Sequence, residues 1–193
     1  MIFDAIVLAG GGSTRLGVDK ATLLVGGVTM LDRVLAATAR AASTVVVGPE
    51  RPTARPVEWT IEEPPSGGPV AGIAAGLRFG AAPVVVVVSC DLPWLTADDV
   101  SAVVAGLAAG DAPSGLTAGD APRGRLDGYG LRDSAGREQR LAAAYRRAAL
   151  VAAVERLGDP RDRAVRHLVD GLSLAWTAPR RAGDDVDTWA DLD

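Results

Sequence analysis

Apolar positions along the chain fall into short runs that alternate with stretches of helical spacing. Residues 2–8, Ile-Phe-Asp-Ala-Ile-Val-Leu, are apolar and rich in Ile and Val, and they stop at Ala9-Gly10-Gly11-Gly12. That pattern predicts a buried strand followed by a glycine loop. Met30, Leu31, Val34, Leu35 and Thr38 recur at helical spacing and predict a helix over 28–42. A strand over 43–47 follows, stopped by Gly48-Pro49, and a weaker one over 57–61. Pro69 suits the first turn of a helix, here expected over 69–79. Val84 to Val88 are five consecutive valines ending at Ser89-Cys90-Asp91, the pattern of a central strand covered on both faces. Thr96, with Asp98 and Asp99 in the first turn, opens a helix to about 108.

Beyond this point the pattern thins. Residues 110–128 are dense in Gly, Asp and Pro and read as a loop. Segments 129–133 and 137–146, separated by Ser134-Ala135-Gly136, predict a hairpin. Helices over 147–157 and 162–171, a strand over 172–176 and a turn from Asp187 complete the reading. Alternating strands and helices predict a doubly wound, mostly parallel three-layer α/β sheet with right-handed crossovers. No internal repeat or composition break divides the chain, so one domain over 1–193 is expected, in two halves, 1–109 and 110–193. If the first four strands take the order 3-2-1-4, winding reverses between strands 1 and 4, and ligands bind at the carboxyl ends there. Gly10–Gly12, Arg15, Lys20 and Asp91 would then share one crevice.

Composition narrows the chemistry. The chain is 48% hydrophobic and 23% charged with mean hydropathy +0.19, which excludes a disordered class. One cysteine (Cys90) and one histidine (His167) exclude Cys-based zinc sites, internal disulfides and a repertoire of histidine chemistry. A pI near 5.0 and a net charge of −4 argue against nucleic acid as a partner. No apolar run reaches the length of a membrane span, and no signal-peptide pattern precedes the first strand, so no membrane contact and a cytoplasmic location are expected. Nineteen of the twenty basic residues are arginine, so Lys20 is the single lysine.

The segment from Leu8 to Lys20 carries the strongest chemistry. Its glycines let backbone N–H groups converge on an anion, and Arg15 and Lys20 add a fork and a point charge for phosphate oxygens. Val18-Asp19 after Gly17 excludes a Walker A loop, and Arg15 occupies the third glycine position of a dinucleotide fingerprint. A plain turn at these glycines is the competing reading. Asp91, closing the valine strand, suits a magnesium ion held jointly with phosphate oxygens, or else caps the following turn. Cys90 reads as a small buried filler and His167 as a structural residue.

Leu8-Ala9-Gly10-Gly11 with Arg15-Leu16-Gly17 and Asp19-Lys20-Ala21, then Gly68-Pro69-Val70-Ala71-Gly72-Ile73, then Cys90-Asp91-Leu92-Pro93, resemble the MobA-like nucleotidyltransferases. Within them the motifs are most similar to molybdenum cofactor guanylyltransferases, and they span residues 5–95. The resemblance implies a Rossmann-like fold, GTP and a molybdopterin-type phosphate as substrates, Mg²⁺ as cofactor, and molybdoenzymes or cofactor-pathway proteins as partners. It also implies roles. Leu8, Ala9 and Gly10 would touch nucleotide through the backbone, beside Gly11 and Gly12 of the glycine loop, while Gly68 lies in a Pro/Gly segment that reads as a pocket wall or as an ordinary loop-to-helix connection. Lys20 and Arg15 would neutralise phosphate, and Asp91 would hold the metal, together with Asp187 or Asp185. Gly48 and Glu63 stand where the family often has Asn and Asp, so base choice is open between GTP and CTP. Gln139 and Arg140, in a segment resembling the family's acceptor side, would contact the acceptor or simply satisfy the hairpin. A nucleotide-binding accessory protein without turnover is the reading from another class.

Overall fold

The computed structural model describes residues 1–10, 19–110, 125–186, 188 and 191. One sheet joins β1 (Phe3–Leu8), β4 (Thr44–Val47), β5 (Glu58–Thr60), β6 (Val84–Ser89), β7 (Gly128–Arg132), β8 (Glu138–Arg146) and β9 (Leu174–Pro179). Their order across the sheet is β5-β4-β1-β6-β8-β7-β9. Counting strands as the sequence predicts them, the first four follow 3-2-1-4, as expected. β1 pairs parallel with β4 and β6, and β4 with β5. Only β8 runs against its neighbours β6 and β7, while β9 is parallel to β7.

The valine run explains why β6 sits in the middle. All five valines are at most 1% exposed, so both faces of the strand are covered. Their alternation splits them between two layers. Val84, Val86 and Val88 join Leu31, Val34 and Leu35 of α1 (Met30–Ala37) and Val100, Val103 and Val104 of α3 (Ala97–Ala109). Val85 and Val87 join Val70 and Ile73 of α2 (Gly68–Gly76), Leu150 and Ala153 of α4 (Arg147–Leu157) and Leu168 of α5 (Val165–Leu168). Burying one such side chain is worth ~1.5–3 kcal/mol, so polar substitutions on either face of β6 would be costly. The result is three layers, helix on sheet on helix. Among the described residues no helix is long and apolar enough to cross a membrane.

Several boundaries differ from the sequence reading. The helix expected over 28–42 is shorter at both ends: a two-stranded hairpin, β2 (Leu24–Val25) and β3 (Val28–Thr29), takes its first two residues, and the helix closes at Ala37 with Thr38 as its cap. Gly26 and Gly27 turn that hairpin with φ of +58° and +81°, and Thr29 then caps α1 by accepting a hydrogen bond from Asp32 N (3.1 Å). The helix expected over 162–171 contracts to the four residues of α5, between Asp162 and Gly171, both at positive φ. The last strand is shifted later, to 174–179. α3 begins as expected: Thr96 and Asp99 form a reciprocal capping box.

Candidate active site at the carboxyl edge of the sheet

β1 and β6 lie side by side, and the chain leaves both at the same edge. Cys90 N donates to Leu8 O (2.9 Å) and Ala9 N donates to Val47 O (2.8 Å), so the residues after three strands are stitched together. These bonds commit the Leu8 carbonyl and the Ala9 amide to the sheet. Gly48 fits against the same turn. Its φ is +146°, and a Cβ there would stand 2.7 Å from both Ala9 C and Gly10 N. Only glycine permits that approach without displacing the backbone that leads into the glycine loop.

Lys20 and Asp91, 71 residues apart in sequence, meet at this edge with Nζ and Oδ2 separated by 3.5 Å. Their side chains are 16% and 21% exposed, so the pair is neither sealed nor fully solvated. Lys20 is presented by a short 3-10 turn, Lys20–Thr22, whose first residues are capped by Asp19: Oδ1 accepts from Ala21 N at 3.1 Å. Asp19 Oδ2 in turn accepts from Arg51 Nε at 2.6 Å, and Arg51 Nη1 donates to Pro49 O at 2.7 Å. Arg51 was not among the sequence candidates; nothing marks it out from eighteen other arginines. Asp19 was visible only as the neighbour of Lys20.

Cys90 beside them is 8% exposed, and its thiol is pushed up to about 12 by burial first and by the Asp91 charge second. A thiol held protonated fits the reading of Cys90 as filler. The carboxyl-terminal segment also reaches the edge, since Val186 N donates to Asp91 O at 3.0 Å. Asp185, one of the two acids considered as a second metal ligand, is therefore next to the residue that bonds the Asp91 backbone. Asp187 lies outside the described residues, as do Gly11, Gly12, Arg15 and residues 111–124 of the stretch expected as a loop.

The remaining candidates are spread along the same edge. Gly68 starts α2, and Gly72 one turn later rests against Leu8 and Val47, so the helix N-terminus lies toward the strand ends. Glu63 lines a groove of about 260 Å³ with Ala71, Ala74, Arg78, Asp159 and Arg161. None of its described contacts is with Lys20 or Asp91. Gln139 and Arg140 precede Ala142, which pairs with Val88, so antiparallel β8 carries them past the end of β6 on the Asp91 side. There Gln139 Nε2 donates to Asp133 Oδ2 (3.1 Å), and Arg140 Nη2 to Glu138 Oε2 (2.7 Å), with its guanidinium 5.7 Å from the Trp176 ring. Both side chains thus have hairpin partners. Asp133, the centre of that hairpin, is desolvated, which alone would raise its carboxyl. Hydrogen bonds from Arg137 backbone and side chain and from Gln139 outweigh burial and hold it below the ordinary value.

Chemically, the edge combines one ammonium, one carboxylate and a turn whose backbone leads into a glycine loop. Among the described residues no group of three or more His, Cys, Asp and Glu could cage a metal. A magnesium ion arriving with a polyphosphate needs only one or two protein carboxylates, its other ligands being phosphate oxygens and water. Asp91 fits that demand.

Comparisons with known proteins bear on the family and the fold. The model of the MobA-like NTP transferase domain matches residues 5–175. A molybdenum cofactor guanylyltransferase from Burkholderia lata is 35% identical over 117 residues, 55% of this chain and 57% of that protein. A probable molybdenum cofactor guanylyltransferase from Synechococcus elongatus is 35% identical over 103 residues, 49% of this chain and 53% of its own length. The chain thus spans a little over half the length of these curated relatives. Among solved structures, molybdopterin-guanine dinucleotide biosynthesis protein A from Archaeoglobus fulgidus superposes with a TM-score of 0.70 at 21% identity, covering 98% of this chain and 94% of the other. A 2-C-methyl-D-erythritol 4-phosphate cytidylyltransferase from Thermus thermophilus follows at 0.64 and 23%, covering 100% and 96%. At such identities the two structures speak for the fold alone. With a family model matched over most of its length and the sheet order that the fold requires, the chain belongs to the MobA-like NTP transferase domain family.

Proposed function

We propose that the chain is a magnesium-dependent nucleotidyltransferase that transfers GMP from GTP to the terminal phosphate of a molybdopterin-type acceptor. The observation that carries this reading is the Lys20–Asp91 pair at the junction of β1 and β6, 3.5 Å apart in a fold of this family. An acceptor phosphate oxygen forms a bond to the α-phosphorus of GTP. The bond from that phosphorus to the α–β bridging oxygen breaks, and pyrophosphate leaves with the electron pair. A phosphate monoester is largely dianionic at neutral pH, its second pKa being about 6, so no general base is required. That suits a chain with one histidine.

Lys20, joined by Arg15, neutralises the charge that builds on the departing pyrophosphate, and glycine-loop amides from Gly10 to Gly12 hold the phosphates in line. Magnesium, when bound, supplies charge neutralisation across phosphate oxygens, and Asp91 with Asp185 or Asp187 would hold it. Gly48 and Glu63 stand where base choice is written, and Gln139 and Arg140 face the acceptor. The same relatives suggest proteins of molybdenum cofactor assembly as partners.

The purified protein is assayed with each of the four NTPs, magnesium and a phosphorylated pterin acceptor, following pyrophosphate. GTP-specific, acceptor-dependent release is expected. Preference for CTP, or release only with a sugar phosphate, would replace this substrate assignment; tight nucleotide binding with no release under any pairing would make the protein a binder rather than an enzyme.

A further inference from the structure

Lys20 sits on a turn of three residues, closed by Thr22 N on Asp19 O and Leu23 N on Lys20 O, both at 3.1 Å. Ala21 is buried in the core and Met30 N donates to Leu23 O (2.8 Å) just beyond the turn, while a side chain from another loop holds its cap, Asp19. Arg51 follows β4, four residues after Val47, and its guanidinium spans two loops. Nη1 takes Pro49 O in its own loop at 2.7 Å, and Nε takes Asp19 Oδ2 at 2.6 Å. The other Asp19 oxygen holds Ala21 N, within the turn that carries Lys20. The Arg51 side chain is only 14% exposed although it lies in a surface loop. Gly48, at the base of this loop, is itself locked against Ala9 and Gly10. A continuous set of contacts therefore runs from the end of β4 through Arg51 and Asp19 to Lys20 and on to Asp91.

We propose that Arg51 is a positioning residue that holds the Asp19-capped turn against the β4 loop and so sets the Lys20 ammonium beside Asp91. The inference rests on the reading of Lys20 as the phosphate-binding cation. Guanidinium geometry is what the position demands. One planar fork reaches a carbonyl and a carboxylate at once, whereas an ammonium at the end of a flexible stem engages them as a point charge. The four charges also act on a common neighbour. Beneath the dominant effect of burial, Asp91 and Asp19 push the Cys90 thiol up while Arg51 and Lys20 pull it down. Arg51 itself acts through Asp19 and contacts neither Lys20 nor Asp91 among the described hydrogen bonds.

Because Lys20 is the only lysine, reductive methylation with ¹³C-formaldehyde yields a single side-chain dimethylamine signal. In Arg51→Met that signal is expected to shift and narrow toward the signal of unconstrained dimethyl-lysine. Asp19→Asn should do the same, and the double variant should go no further than either alone. Arg51→Lys should recover part of the wild-type signal, and it carries the test if Arg51→Met does not fold. The thermal midpoint of the variants should stay within about 4 °C of wild type. Magnesium tripolyphosphate, titrated against the same signal, should bind Arg51→Met about tenfold more weakly. An unchanged signal in Arg51→Met, while Asp91→Asn moves it, would overturn the proposal, as would a changed signal with unchanged tripolyphosphate affinity. If the wild-type chain binds neither tripolyphosphate nor any NTP, the nucleotidyltransferase reading falls, whereas the ligand-free signal still decides whether Arg51 governs Lys20.

Discussion

The two edges of the sheet each carry an ion pair, and the pairs are built for opposite ends. At the amino edge, Asp4 Oδ2 accepts from Arg147 Nη2 (2.7 Å) and Ala82 N (2.8 Å), while Oδ1 accepts from Ser43 Oγ (2.8 Å). Arg147 also donates to the carbonyls of Leu77, Phe79 and Ala82. Its partner Asp4 has a side chain only 5% exposed, and every bond closes within the protein. At the carboxyl edge, Lys20 and Asp91 are separated by 3.5 Å, well beyond the ~2.7–2.9 Å of a strong charge-assisted bond, and both side chains are partly solvated. A short, fully satisfied network stabilises the fold, whereas the pair at the carboxyl edge is longer and more exposed to solvent. Short, buried bonds occur at the carboxyl edge as well. Asp133 is as thoroughly bonded as Asp4, through Arg137 and Gln139.

Substitutions can break this contrast, beginning with the largest effect. Arg147→Met leaves Asp4 buried without its cation and should cost ~3–5 kcal/mol of stability, read by chemical denaturation. A loss near zero would mean that the amino-edge network is not structural. Asp91→Ala should leave the unfolding midpoint almost unmoved while lowering pyrophosphate release at least about a hundredfold, ~2.7 kcal/mol of barrier. Equal effects of both variants on stability would erase the distinction between the edges.

Smaller effects sharpen it. Gly48→Ala forces a Cβ into Ala9 and Gly10 at a left-handed φ, and should cost ~1–3 kcal/mol with weaker nucleotide binding. Thr96→Ala removes one arm of the α3 capping box and should cost ~1 kcal/mol without altering nucleotide affinity. The pH dependence of stability probes Asp133. Its folded pKa is depressed, so its contribution is complete above the unfolded value of about 3.9 and is lost as pH falls through the folded one. Asp133→Asn should flatten that acid limb in denaturation series between neutral pH and strong acid.

Much of the first half was legible because its signals are local and strong. Five valines need cover on both faces whatever surrounds them, and Pro69, Thr96 and Asp99 mark helix starts by chemistry within one turn. The glycine pair that opens the β2–β3 hairpin was a readable signal too, but the helical spacing after Met30 masked it, so the helix was extended back to residue 28. The late helix over 162–171 failed for a different reason. Apolar spacing there continues past residues that the backbone holds at positive φ, Asp162 and Gly171, which interrupt the helix at both sides.

From the order of residues alone came the alternation of strands and helices, the poverty of histidine and cysteine chemistry and, on the supposition that the first four strands take the order 3-2-1-4, the placement of Lys20 and Asp91 at one edge. The first two follow from short-range periodicity and from counting, and the third needed a strand order that the folded sheet supplies. Only the tertiary structure decided that β8 inserts antiparallel beside β6 and so carries Gln139 and Arg140 to the Asp91 side. It alone singled out Arg51, bonded across 32 residues to Asp19, and Arg147, bonded across 143 to Asp4. The physical reason is common to all three. Which of many identical side chains meets a partner depends on distances set by packing, and no local pattern encodes a distance between segments that touch only when the chain has folded.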